Sequence, residues 1–156
     1  MTQRIDYSKA SPEGLRKMLE MEAFVRRNGI EAPLLELIKI RASQMNGCAY
    51  CIDMHTKDAR AYGETEQRIY ALNAWRETPF FTDRERAALE WTEAITDIQQ
   101  GHAPDKVYEQ AKREFGEEQL INLTLAITTI NTWNRLAIAC RTAPGSYQPA
   151  IRTTAD

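Results

Sequence analysis

Long apolar runs are missing from this chain. None approaches the ~18 residues that a helical membrane span requires, and mean hydropathy is negative, so no bilayer crossing is expected. Charge of one sign is missing as well: 20 Lys and Arg stand against 22 Asp and Glu, interspersed, for a net charge of −2. That balance gives no field strong enough to draw phosphates, and nucleic acid is not an expected partner. Alternating β-branched runs bounded by turn residues are absent too, which removes any convincing strand and leaves an all-α chain. Glycine and proline are few, 7 and 6 in 156 residues, and punctuate apolar segments without forming a linker, so a single domain is expected. The segment from Met1 to Lys9 lacks the apolar centre of a secretory signal, and the cytoplasm is the expected location. A reducing cytosol would keep the three cysteines as thiols unless their chemistry is the point.

What is there reads as six or seven helices. The first opens at Ser11-Pro12-Glu13 and carries Leu15, Met18, Leu19, Glu22, Phe24 and Val25 before Asn28-Gly29 stops it, with one apolar face. The second runs from near Pro33 to Asn46-Gly47, apolar around most of its circumference, and should be central. The third starts at or just after Cys48 and ends at Tyr62-Gly63, and a fourth spans Thr65 to Trp75. Thr82 and Glu85 form a capping box for a helix closed by Gly101. A shorter helix, Pro104 to Phe115, ends at Gly116, and a long one follows from about Glu117 to Cys140. The tail after Arg141 should be extended.

One segment demands a chemical account: Cys48-Ala49-Tyr50-Cys51-Ile52-Asp53-Met54-His55. At ~100° per residue, Cys51 lies at about −60° and His55 at about −20° from Cys48, so all three share a helix face. Cys51 and His55 are four apart, where helical side chains meet, and the imidazole can take the thiol proton. A thiolate in the first turn also faces free backbone N–H groups and the positive end of the helix dipole. Two thiols at this spacing can close a disulfide, one attacking an oxidant and the other resolving the product. Glu36 interrupts the most apolar helix and needs a partner. If the second and third helices pack antiparallel about Asn46-Gly47, Glu36 lies roughly 15 Å before the turn and His55 roughly 10 Å after it. Directly or through one water, the carboxylate could then fix the ring and stabilise its protonated form.

Other readings of these residues are blander. Cys48, Cys51, His55 and Glu36 could supply four zinc ligands, though structural zinc sites usually draw two pairs from separate elements, and no metal is expected. Glu36 could instead pair with Lys39 or Arg41 on its own helix. Cys140 reads as a buried structural thiol. His102 should be solvated, and Trp75, Trp91 and Trp133 should be core or interface anchors before they are substrate platforms.

Glu36, eleven residues, then Cys48-x-x-Cys51-x-x-x-His55 resembles the core motif of the AhpD-like alkylhydroperoxidases of the carboxymuconolactone decarboxylase superfamily. Residues 79–89 and the closing Ile130-Asn131-Thr132-Trp133-Asn134-Arg135 also look like its single-domain members, so the resemblance covers about 30–140, with an extended tail at 141–156. It implies an AhpD-like helical bundle and a thiol-dependent alkyl hydroperoxide reductase. Cys51 would attack the peroxide, Cys48 would resolve the sulfenic acid as a redox-active disulfide, and His55 and Glu36 would relay the proton. No bound cofactor is implied. An external dithiol is needed, a lipoyl-bearing protein or a peroxiredoxin partner in the best-understood members, and the assembly would be a homo-trimer or homo-hexamer. Tyr50 stands where AhpD itself carries a histidine. A general disulfide oxidoreductase and a lactone-decarboxylating lyase are the alternatives, the latter chemistry not depending on a cysteine pair.

Overall fold

The computed structural model describes residues 2–149. Its elements are α1 (Tyr7–Ala10), α2 (Pro12–Val25), α3 (Ala32–Asn46), α4 (Ala49–Ala61), α5 (Glu66–Ala71) with a 3-10 turn at Leu72–Glu77, α6 (Asp83–Thr96) and α7 (Asp105–Cys140). No strand occurs among the described residues. None of their helices is long and apolar enough to cross a membrane.

Helix α3 is the axis of the fold and packs against α4, α6 and α7. Its three faces do different work. Leu34, Leu35 and Ile38 join one apolar cluster with Ala88, Trp91, Leu123 and Ile127. Leu37 and Ile40 join a second with Leu72, Trp75, Phe81 and Leu89. The third stripe, Glu36, Lys39 and Ser43, is polar yet buried, at the helical spacing that places it on one side. Burial of that kind is tolerated only where every polar atom finds a partner. Ser43 accepts from Asn134 Nδ2 at 3.0 Å, and Asn46 Nδ2 donates to Asn134 and Asn131 at 2.8 and 2.9 Å. These bonds tie α3 to the far end of α7.

Gly47 ends α3 in the left-handed region, φ 70° and ψ 31°, and turns the chain straight into α4. The capping box is present: Thr82 Oγ1 accepts from the Glu85 amide at 3.2 Å and Glu85 Oε2 from the Thr82 amide at 2.8 Å. Gly116, at φ 68° and ψ 179°, breaks α7 where the sequence divides it, since no L side chain adopts that backbone readily.

Three expectations need correction. The helix expected over Thr65 to Trp75 tightens into a 3-10 turn, and Ala74 leaves helical geometry. Helix α6 stops at Thr96, short of Gly101. Cys140 is partly exposed, not buried, because it lies in the last turn of α7. The apolar side of α2 is largely uncovered: Leu19, Met21 and Phe24 are exposed and only Val25 is buried. Of the expected tail, residues 142–149 are non-helical and 150–156 lie outside the described residues.

Candidate active site

The turn at Gly47 lays α4 antiparallel to α3, and the polar stripe of α3 then faces the cysteine helix. Cys48 is the N-cap of α4, its Sγ accepting from the Cys51 amide at 3.3 Å. Cys48 and Cys51 are joined as a disulfide, and both are buried beside Ala137. One turn on, His55 Nδ1 meets Glu36 Oε2 at 2.8 Å, with both side chains almost wholly buried. The antiparallel arrangement thus closes the expected gap directly, with no bridging group.

Glu36 pairs with neither Lys39 nor Arg41. Lys39 Nζ reaches Glu22 at 2.5 Å, and Arg41 reaches Glu93 at 2.8 Å. The other oxygen of Glu36 is 3.8 Å from Arg26, which also binds Glu22 at 3.1 Å. Lys39, Glu22, Arg26, Glu36 and His55 therefore form one chain of polar contacts beside the disulfide, alternating cation and carboxylate from Lys39 to Glu36 and ending at the imidazole. Burial would push the Glu36 carboxyl up, but the His55 hydrogen bond and the charges of His55, Lys39 and Arg26 outweigh it and hold the group below its ordinary value. Glu22 is held down against burial in the same way by Lys39, Arg26 and His55.

A carboxyl lowered by folding stabilises the native state above its unfolded value, and that stability is lost as pH falls through the native one. For Glu36 the loss begins near the ordinary 4.5 and continues below it. The melting temperature of Glu36→Gln is therefore expected to fall less steeply than wild type between ~pH 5 and ~pH 3. Calorimetry across that range checks it, and parallel curves would contradict it.

In front of the disulfide lies a cavity of about 500 Å3. Its wall includes Cys51 and His55 but not Cys48; Tyr7, Leu15, Tyr50, Met54, Ile130, Trp133 and Tyr147 supply a mainly apolar and aromatic lining, and Glu22 and Arg26 add a charged side. Glu36 occupies Nδ1, which leaves Nε2 as the imidazole nitrogen for a ligand or the thiol. Trp133 is thus a wall of this cavity, while Trp75 and Trp91 are core residues and His102 is exposed.

Ligand-type atoms of Glu36, His55 and Asp58 lie within 4.8 Å of one another. Each is engaged already, Asp58 with the Tyr147 hydroxyl at 2.7 Å, and Arg26 sets a fixed positive charge against Glu36. A metal ion would have to displace these bonds and face that charge.

The sequence reading missed Arg26, Glu22, Lys39, Asp58 and Tyr147. A lysine amid Leu37, Ile38 and Ile40 is the one signal that could have pointed to the network, because a fully buried ammonium requires a carboxylate partner.

Residues 12–94 match the carboxymuconolactone decarboxylase family. The chain belongs to that family. YdfG of Bacillus subtilis (strain 168), an uncharacterized protein, is 51% identical over 139 residues, 89% of this chain and 95% of YdfG. YnjA of Escherichia coli (strain K12) is 26% identical over 102 residues, 65% of this chain and 56% of that protein. A crystal structure from Agrobacterium tumefaciens, of unknown function and proposed to be the antioxidant defence protein AhpD, superposes with a TM-score of 0.90. It shares 42% identity over 94% of this chain and 100% of that one. The debrominase Bmp8 shares the fold, at TM-score 0.79 and 19% identity over 88% of this chain and 74% of that one. Carboxymuconolactone decarboxylase family membership, the AhpD-like all-α fold and the Cys48/Cys51 pair thus stand together.

Proposed function

We propose that this protein is a thiol-dependent reductase of apolar organic hydroperoxides. The observation that carries the reading is the joint opening of Cys51 and His55 into an apolar cavity, with the imidazole pinned from behind by Glu36. In the reduced protein His55 takes the proton of Cys51. The thiolate attacks the terminal oxygen of the hydroperoxide, forming an S–O bond and breaking O–O, and the departing alkoxide takes the proton back from His55. Cys48 then displaces hydroxide from the Cys51 sulfenic acid, and water and the disulfide result. An external dithiol, of lipoyl type or borne by a peroxiredoxin, returns two electrons and completes the cycle.

The aromatic lining suits a substrate with a bulky organic group, while a small polar peroxide would leave that apolar wall unused. The exposed apolar residues of α2 suit a homo-oligomer, a trimer or hexamer, with α2 at a subunit contact. A cytoplasmic setting would keep the pair supplied with reductant.

The test is to pre-reduce the protein, add cumene hydroperoxide and titrate thiols. Loss of two thiols per chain, matched by one peroxide consumed, is the expected result. Thiols that stay intact would overturn the peroxidase reading. Should they cycle only against small disulfides, the site is a general disulfide oxidoreductase, the second reading favoured by the joined Cys48 and Cys51. Turnover of a lactone in a cysteine-free variant would place the chain with the lyases.

A further inference from the structure

Arg141 ends α7 in the left-handed region, φ 55°, and sends the chain back across α4. Four hydrogen bonds pin the returning segment. The Gly145 amide donates to Asp53 at 3.0 Å, Lys57 Nζ donates to the Tyr147 carbonyl at 3.0 Å and to the Gly145 carbonyl at 3.5 Å, and the Tyr147 hydroxyl donates to Asp58 at 2.7 Å. Asp53 and Lys57, four residues apart, are themselves paired at 3.0 Å, so the segment lies on a prepared face of α4. Tyr147 then stands in the cavity wall with Cys51, Met54, His55 and Trp133.

Its hydroxyl is not placed for acid chemistry. Burial and the carboxylate of Asp58 both push the phenol well above its ordinary value, so it stays protonated and acts as a fixed donor. What remains is shape: a ring held in the cavity wall by the hydrogen bond at its hydroxyl and by those of the backbone beside it.

We propose that Tyr147 is the specificity-determining residue of the thiol site, a wall that sets the size of molecule able to reach Cys51. Asp58 is its positioning residue. The proposal rests on the reading of Cys51 as the thiol that faces the cavity. Removing the ring widens the way to Cys51 for bulky electrophiles more than for small ones; it also takes the donor from Asp58, which lies within 4.8 Å of Glu36 and His55, and any resulting change in thiol reactivity reaches both reagents alike and cancels in their ratio. Losing only the hydroxyl frees the ring without deleting it, and the effect should be smaller.

The test uses Cys48→Ser/Cys140→Ser protein, in which Cys51 is the one thiol, and compares its alkylation by iodoacetamide with that by pyrenylmaleimide. Tyr147→Ala is expected to speed the bulky reagent about tenfold relative to the small one, and Tyr147→Phe by a smaller factor in the same direction. Equal rate changes for both reagents, or no change for either, would overturn the proposal. Should Tyr147→Ala fail to fold, the ratio in Tyr147→Phe and in Asp58→Ala decides alone, an unmoved ratio in both being the overturning result. A parent protein whose Cys51 resists iodoacetamide altogether would instead sink the thiol assignment beneath it, and a normal parent with an unmoved ratio sinks only the wall.

Discussion

Cys51→Ser is expected to abolish hydroperoxide consumption, by at least ~10³-fold, while Cys48→Ser consumes one equivalent of peroxide and stops. The asymmetry follows from placement. Cys51 is part of the cavity wall and Cys48 is not, and the Cys48 sulfur faces into the first turn of α4, where it accepts from the Cys51 amide. In Cys48→Ser the sulfenic acid formed on Cys51 has no neighbouring thiol to condense with, so it accumulates and can be trapped by a dimedone-type reagent. Mass spectrometry of the trapped protein locates the adduct. An adduct on Cys48 in the Cys51→Ser protein, formed at the wild-type rate, would reverse the two assignments.

His55→Ala is expected to lower peroxidase turnover about 100-fold at neutral pH, within the range that a positioned acid–base group supplies. The cause is read more directly from the pre-reduced protein. Without the imidazole one turn away, the pH profile of Cys51 alkylation should move up toward the ~8.5 of an unassisted thiol. Glu36→Gln should shift it the same way by less, since an amide can still hold the ring at Nδ1 while the negative charge that favours the imidazolium is gone. The 2.8 Å contact makes this ordering a consequence of geometry. An unmoved profile in His55→Ala would remove the histidine from the activation step and leave the helix N-terminus as the sole source of thiolate stabilisation.

The parts of this site legible in the sequence are those written in local spacing. Cys48, Cys51 and His55 share a face because helical periodicity puts them there, and Gly47 announces the turn that brings α3 alongside. Glu36 could be singled out as a charge amid leucines, and its partner followed from counting residues to the turn. The break of α7 at Gly116 was equally plain, as was the capping box at Thr82. Long-range geometry was not legible. Lys39 meets Glu22 across 17 residues and Tyr147 meets Asp58 across 89, and no periodicity encodes where a tail returns or that Glu36 passes over both cations of its own helix. Trp133 read as an anchor for the same reason. Its position on α7 is fixed by period, but whether that side meets protein or open space depends on how α2 and the returning tail are laid down.

The Cys48 sulfur has a second duty that binds its chemistry to backbone order. As the N-cap of α4 it receives the amide hydrogen of Cys51 while bonded to the Cys51 sulfur, so in the disulfide form the first turn is closed twice, by a covalent bond and by a hydrogen bond. Electrons delivered to the pair therefore remove the covalent closure and leave the cap to hold the turn. Tyr50 rides on that turn and borders the cavity. The cavity border at Tyr50 is thus backed by a covalent link only while the two sulfurs are joined.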